Sequence, residues 1–475
     1  MPSPPTPMPR PSAGHRAAIS CRCGKRSRSS AASGWARSPD HLRQKADETS
    51  GKRPIYGYSR VMELGRHQLP IASELLSGFR ALVVNGPRQA GKSTLVRQLQ
   101  TGRGPVFTLD DPTVLDLVRN DPTGFLRQLP AHPALDEFQR GGQPLLLALK
   151  RELDEHRGAG QYLLAGSTRF LTTRHLAETL TGRIGILELM PLSAGELRGA
   201  TESFIERAFD DNLLDLRVRM RAPTRAEYAH QIATGGFPEL ALGPTSARFR
   251  TAWCQSYIAT VTAISNVEQI VDARRPELFG TLLRQLAARV AGELSIADLA
   301  RELAADEATV RTYLDVVSTL YLLRPLPAWT TSHTNRSKRR PVVHLVDTAL
   351  ASHLVGADAD QLARLDSPWF GPLLENYVVN ELSKQAGWCA QPVALGHYRD
   401  RDQREVDVVI ERGRDLVCIE VKATSAPTTA HAKHLAFLRD RTGERFRCGV
   451  VLHTGDQAFR LGDRLYAVPV SDLWA

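Results

Sequence analysis

The ten residues GPRQAGKSTL, 86–95, restrict what this chain can fold into more than any other stretch. They fit G-x-x-x-x-G-K-[ST], and they stand where that pattern has physical meaning. Before them runs FRALVVNG, 79–86, an apolar and β-branched stretch that reads as a buried parallel strand. After them, STLVRQL has helical spacing. A glycine-rich turn between strand and helix lets successive backbone N–H groups face an anion at the helix N-terminus. Gly86 and Gly91 supply the curl, Lys92 is placed for the β and γ phosphates, and Ser93 for Mg²⁺. Pro87, Arg88, Gln89, Ala90 and Thr94 complete the loop expected to touch the nucleotide. ATP with Mg²⁺ is the cofactor pair this predicts.

Such a loop needs an acid for Mg²⁺ and, for hydrolysis, a group that positions water. LPAHPALDEFQR, 129–140, offers Asp136 to hold Mg²⁺ through water and Glu137 to orient or deprotonate the attacking water. Pro130 and Pro133 interrupt the strand expected there, so an exposed acidic turn is the alternative. QYLLAGSTRFL, 161–171, reads as a neighbouring strand whose end places Ser167 and Thr168 to sense a γ phosphate. Arg183 follows a helical stretch. It either reaches a γ phosphate, its own or a neighbouring subunit's, or is a solvated helix end.

At 475 residues the chain suggests two to four domains. Its 42% apolar and 24% charged residues are those of a globular protein, and the absence of any run of about 18 apolar residues argues against a membrane span, giving a cytoplasmic reading. The net charge of +10 invites a nucleic-acid partner, but residues 1–60 hold 12 Lys+Arg against 3 Asp+Glu, leaving 49 against 48 elsewhere. The basic character belongs to an N-terminal tail rich in Pro, Ser, Gly and Arg, too poor in large apolar residues to offset its ordering entropy, so disorder is expected there. The tail has neither the amphipathic period of a transit peptide nor an apolar secretory core; a later start, for example at Met62, is the alternative. Six cysteines, with only Cys21 and Cys23 close together, read as free thiols.

Residues 223–290 have helical patterning, with GGFPEL, 235–240, as a tight turn that lacks the lysine of a phosphate loop. Residues 293–326 place Ile296, Leu299, Ala300 and Leu303 on one face and Val310, Tyr313, Leu314 and Val317 on the next, two helices and a strand resembling a winged helix-turn-helix. Phosphate contacts need cations. Between 293 and 320 only Arg301 and Arg311 stand against six acids, so a protein-packing role is favoured over DNA reading. NRSKRRP, 335–341, is a compact basic cluster that either meets phosphate or is a solvated loop.

Near the C-terminus, REVDVVIE and DLVCIEVK read as a hairpin turned by RGRD. Period two sets Glu420 and Lys422 on one face, with Asp407 near the start of the partner strand. Asp407 and Glu420 are expected to share Mg²⁺, Lys422 to stabilise phosphoryl charge or position water, and Glu375, on the helix FGPLLENYVVNELSKQ, to complete the cluster if its face turns inward. The D-x₁₂-E-x-K pattern after such a helix looks like the PD-(D/E)xK nuclease core. A half-exposed hairpin with ordinary charges is the alternative, against which stands the cost of burying Glu420 and Lys422 unpaired in LVCIEVKA.

GPRQAGKSTL, LDEFQR, YLLAGST, TGRIGILELMPLS and GGFPEL, in this order, resemble the AAA-type P-loop ATPases of bacteria and archaea that carry a C-terminal domain of unknown function. The resemblance covers about residues 65–475. It implies an α/β fold: a P-loop parallel sheet at 61–200 behind the tail of 1–60, a helical region at 201–290, a winged-helix-like segment at 291–345 and a restriction-endonuclease-like α/β domain at 346–475. ATP hydrolysis driving rearrangement of that last module is the function implied. An ATP-gated nuclease and a non-hydrolysing switch or DNA-binding regulator are the alternatives. Nucleic acid, a protein partner of the C-terminal domain and a second copy of the chain are the possible partners.

Overall fold

The run before the P-loop becomes β1 (Ala81–Asn85), all five of its residues buried. A strand buried on both faces needs helices on both, which is what a parallel sheet provides. Ala81 and Val83 enter one core with Leu135, Leu149 and Leu164, while Leu82 and Val84 enter another with Leu95, Val96 and Leu187. The computed structural model describes residues 64–167, 180–210, 213–214, 221–263, 277–330 and 339–474, to which all that follows refers. Thr168, Met62, the tail with Cys21 and Cys23, and residues 335–338 of the basic cluster lie outside them.

With β2 (Val106–Thr108), β3 (Ala134–Asp136), β4 (Tyr162–Gly166) and β5 (Ile184–Glu188), β1 forms a five-stranded sheet in the order β2-β3-β4-β1-β5, every pair parallel. Parallel strands end on one edge. The P-loop after β1, Asp136 and Glu137 at the end of β3, and Ser167 after β4 therefore gather there. Pro133 does not prevent β3; it stands just before the strand, where a missing N–H costs nothing, and its carbonyl accepts from Leu163 N–H at 3.1 Å. The interruption shows instead as a strand of only three residues.

Two helices flank this nucleotide edge: α1 (Gln68–Gly78) and α2 (Lys92–Gln100), which begins at the P-loop lysine. Further on, α3 (Ala247–Val261) carries Trp253 and Tyr257, stacked with ring centroids 5.0 Å apart and packed on Phe237 of GGFPEL. Next, α4 (Ile296–Glu302) and α5 (Glu307–Thr319) precede a two-stranded antiparallel ribbon of β6 (Leu323–Leu326) and β7 (Val342–Leu345). Both arginines of the helix pair are already bonded to acids, Arg301 to Asp298 and Arg311 to Glu307.

The last segment runs α6 (Phe370–Ala386), β8 (Ala394–Arg399), β9 (Glu405–Arg412), β10 (Asp415–Lys422), α7 (Lys433–Thr442), β11 (Phe446–His453), β12 (Phe459–Gly462) and β13 (Leu465–Pro469). Its six strands form a mixed sheet, β12-β13-β11-β10-β9-β8, with β9 and β10 the antiparallel hairpin read from sequence. A continuous apolar core joins Met190, Phe237, Val317, Leu374 and Val450. No helix among the described residues is long and apolar enough to cross a membrane.

Candidate functional site

The P-loop wraps its own lysine. Lys92 Nζ donates to Gly86 O at 3.0 Å and to Pro87 O at 2.7 Å, and the residue is 4% exposed. Burial lowers its ammonium to about 8, against the pull of Glu137 and Asp136. Gly86, at φ 152°, is required by space: a Cβ there would lie 2.1 Å from Leu189 O. Gly91, at φ 96°, caps α2 in the left-handed region, and Ser93 and Thr94 follow in its first turn.

The acids lie on the same edge. Asp136 is buried at the end of β3, and its Oδ1 accepts the Glu137 N–H at 3.1 Å. Glu137 adopts φ 51°, a conformation that non-glycine residues hold only where their surroundings enforce it. What enforces it is a polar cluster: Glu137 Oε2 accepts Ser167 Oγ–H at 3.0 Å and an N–H of Gln139 Nε2, which also donates to Ser167 Oγ at 3.3 Å. The two acids thus stand side by side at the end of β3, Asp136 buried and Glu137 tied to Ser167 after β4.

Arg183 is not brought to this edge. It precedes β5, at the opposite end of the sheet, and its guanidinium pairs with Asp154 through Nε at 2.6 Å and Nη2 at 3.1 Å. Any phosphate it reached would have to be a neighbouring subunit's.

Arg66 was not singled out by sequence, and no pattern around it could have done so. It is buried and makes three bonds: Nη1 to Ala90 O of the P-loop at 3.0 Å, Nη2 to Met190 O at 2.7 Å and Nε to Glu196 Oε1 at 2.9 Å. Burial alone would raise the Glu196 carboxyl; Arg66 with the Ser193 and His67 N–H groups holds it below its ordinary value. GGFPEL closes over the same loop: a side chain on Gly91 would meet Arg66 Nη1 and Pro238 Cγ, and Tyr257 Oη donates to Arg88 O at 3.3 Å. The turn is anchored behind by buried Asp347, whose Oδ2 accepts the Gly236 N–H at 2.7 Å.

A second cluster forms on the C-terminal hairpin. The β9–β10 register, extended one pair beyond Val408–Ile419, sets Asp407 opposite Glu420. Lys422 Nζ bonds Glu420 Oε1 at 2.6 Å, and Asp407 Oδ2 accepts the Val421 N–H at 2.7 Å. Glu375 on α6 faces the same group. Burial raises its carboxyl well above the ordinary range, and Asp407, Glu405 and Glu420 push it further. Burial also raises Asp407, against Lys422, and raises Glu420 together with the Asp407 charge. Burial works against the Lys422 ammonium, but Asp407 and Glu420 outweigh it and hold the group above its usual value. Glu420 Oε2 is buried with no hydrogen-bond partner.

The all-oxygen donor set and the unpartnered Oε2 suit a hard divalent cation. As they stand, however, no three His, Cys, Asp or Glu side chains among the described residues are arranged to hold a metal ion, and Lys422 holds the other oxygen of Glu420. The cluster opens into a cavity of about 640 Å³, walled on the far side by Arg289, Gly292 and Ser295. The described cysteines, Cys254, Cys389, Cys418 and Cys448, are free.

Three segments of the chain match family models. Residues 78–198 match the model of an AAA domain, residues 225–361 a domain of unknown function (DUF8612) and residues 370–473 another (DUF4143). Uncharacterized proteins of Mycobacterium tuberculosis and Mycobacterium bovis are each 27% identical over 395 residues, covering 82% of this chain and 80% of theirs. Among solved structures, a Walker-type ATPase of Pyrococcus abyssi matches at 14% identity and a TM-score of 0.40, over 62% of this chain and 99% of its own. The ORC2 protein of Aeropyrum pernix, in ADPNP–ADP complexes, matches at 15% identity and a TM-score of 0.34, over 64% and 97%. Residues 78–198 are an AAA-type P-loop ATPase domain, followed by segments that match two families of unknown function.

Proposed function

We propose that this protein binds and hydrolyses ATP with Mg²⁺ and uses the cycle to rearrange its C-terminal, nuclease-like module. The observation that carries the reading is the convergence of Lys92, Asp136, Glu137 and Ser167 on one sheet edge, with Glu137 already oriented by Ser167 and Gln139. Ser93 and Asp136 would hold Mg²⁺, which neutralises charge on the phosphates when bound. Lys92 leaves the carbonyls of Gly86 and Pro87 for the β and γ phosphates; Glu137 orients water and takes its proton; Ser167 reports the γ phosphate. Phosphate release under Mg·ATP tests this: Lys92→Ala should bind nucleotide at least about tenfold more weakly and lose turnover. Unchanged release by Lys92→Ala would refute it.

A second reading is that the module cuts DNA or RNA under ATP control. Its support is the Glu375–Asp407–Glu420–Lys422 cluster, where the buried Glu420 Oε2 lacks a partner, and the order helix, three antiparallel strands, helix, strand that carries it. Asp407, Glu420 and Glu375 would hold the cation, and Lys422 would stabilise phosphoryl charge. Plasmid nicking with Mg²⁺ or Mn²⁺ that Asp407→Ala abolishes is the required result; no nicking in any condition would remove this reading and leave the ATPase.

A further inference from the structure

One helix runs from the acid–lysine cluster to the segment that braces the P-loop. Twelve of the seventeen residues of α6 are buried, and five of these are polar or charged: Asn376, Asn380, Glu381, Lys384 and Gln385. A buried helix is ordinarily apolar all round, so these side chains need a reason, and their bonds give one. Near its start, Glu375 faces the acid–lysine cluster. Asn376 bonds both backbone groups of Leu345 on β7, and Asn380 Nδ2 donates to Leu345 O at 3.0 Å. About 9 to 14 Å further along the axis, at a rise of 1.5 Å per residue, the helix grips the ATPase domain. Glu381 Oε2 accepts the Ala194 N–H at 2.8 Å, Lys384 Nζ donates to Leu192 O at 2.8 Å, and the two pair at 2.6 Å with side chains 2% and 6% exposed.

What they grip is the segment just after β5, whose first residues brace the P-loop. Leu189 O fills the space beside Gly86, and Met190 O receives Arg66, whose other bonds go to Ala90 O and Glu196. Leu192 and Ala194 follow at once. At the end of the helix, Trp388 packs on His67, centroids 4.9 Å apart, next to Arg66. A buried ion pair contributes little to stability compared with an apolar pair of the same shape, and its best-attested use is to fix one arrangement among alternatives.

We propose that Glu381 and Lys384 are positioning residues through which nucleotide state at the P-loop sets the arrangement of the Glu375–Asp407–Glu420–Lys422 cluster, with α6 as the connecting rod. This rests on the P-loop binding Mg·ATP. Phosphate drawing Lys92 from the carbonyls of Gly86 and Pro87 reshapes the loop; Arg66 carries the change to Met190; the Glu381–Lys384 grip passes it to α6 as a small shift along its axis. The helix carries Glu375 relative to β9 and β10.

The test uses the full chain and reads two quantities in each protein: affinity for a fluorescent ATP analogue, and amide hydrogen exchange across residues 405–422 with and without Mg·ATP. Wild type should change exchange in 405–422 by about fivefold or more on binding, the range of ordinary coupling free energies. Lys384→Met and Glu381→Gln should bind the analogue within about threefold of wild type yet lose most of that response. Should a single variant fail to fold, the charge-neutral pair Glu381→Gln with Lys384→Met replaces it, its melting curve serving as control. A response at 405–422 that survives undiminished in the variants would overturn the proposal. So would binding in wild type with no response there, which leaves the ATPase reading standing. Absence of binding in wild type would remove that reading and the coupling with it.

Discussion

Arg66→Met removes the clamp on the P-loop while keeping most of the side chain's volume. The arginine satisfies Ala90 O, Met190 O and Glu196 Oε1 from a buried position. Breaking a buried ion pair by removing one partner costs roughly 3–5 kcal/mol. Here the lower end applies to Glu196, because its oxygens keep the His67 N–H at 2.8 Å and the Ser193 N–H at 3.0 Å. Two carbonyls also lose a charged donor, at about 1 kcal/mol each. A loss of about 5 kcal/mol should lower the melting temperature by roughly 10–20 °C at 2–4 °C per kcal/mol. Arg66→Lys should recover only part, since an ammonium cannot span three divergent acceptors. Fluorescent-nucleotide titration at a temperature where both proteins are folded should show affinity about tenfold weaker in Arg66→Met, the loop's N–H groups being less preorganised. An Arg66→Met protein that melts within about 2 °C of wild type and binds nucleotide equally would show that Arg66 does not hold the P-loop.

Gly86→Ala should abolish nucleotide binding in the same titration, because its Cβ would sit 2.1 Å from Leu189 O, a backbone atom that cannot turn aside. His344 is fully buried and burial lowers its imidazole to about 3, so below about pH 6.5 the unfolded chain takes up a proton that the folded chain refuses. The stability present above pH 6.5 should drain away by about 1.4 kcal/mol per pH unit below it. His344→Leu should therefore melt with a smaller drop between pH 7.5 and 5.5 than wild type; equal drops would show that His344 is charged in the fold. Asp407→Asn should weaken Mn²⁺ binding, followed by calorimetry, by about tenfold without lowering ATP turnover.

The P-loop, its flanking strand and helix, and the C-terminal hairpin were legible because each is local: a spacing of glycines, a switch of period, a two-residue turn between alternating strands. Asp136 and Glu137 were legible as residue types, and the three-residue length of β3 matches the proline interruption that cast doubt on its strand. Arg66, Asp347, Glu381 and Lys384 were not legible. Their partners lie 24 to 192 positions away in sequence, or in the case of the Glu381–Lys384 pair sit one turn apart and look like a surface ion pair until burial is known. Arg183, which sequence left open between reaching a γ phosphate and a solvated helix end, precedes β5 at the end of the sheet opposite the P-loop and pairs with Asp154.

Hydrolysis organised by the edge of the parallel sheet is tested by Glu137→Gln, with binding and phosphate release measured on the same preparation. Mg·ATP affinity should stay within about threefold of wild type while release slows by about a hundredfold or more, the usual cost of losing a positioned general base. Release at the wild-type rate would contradict that role.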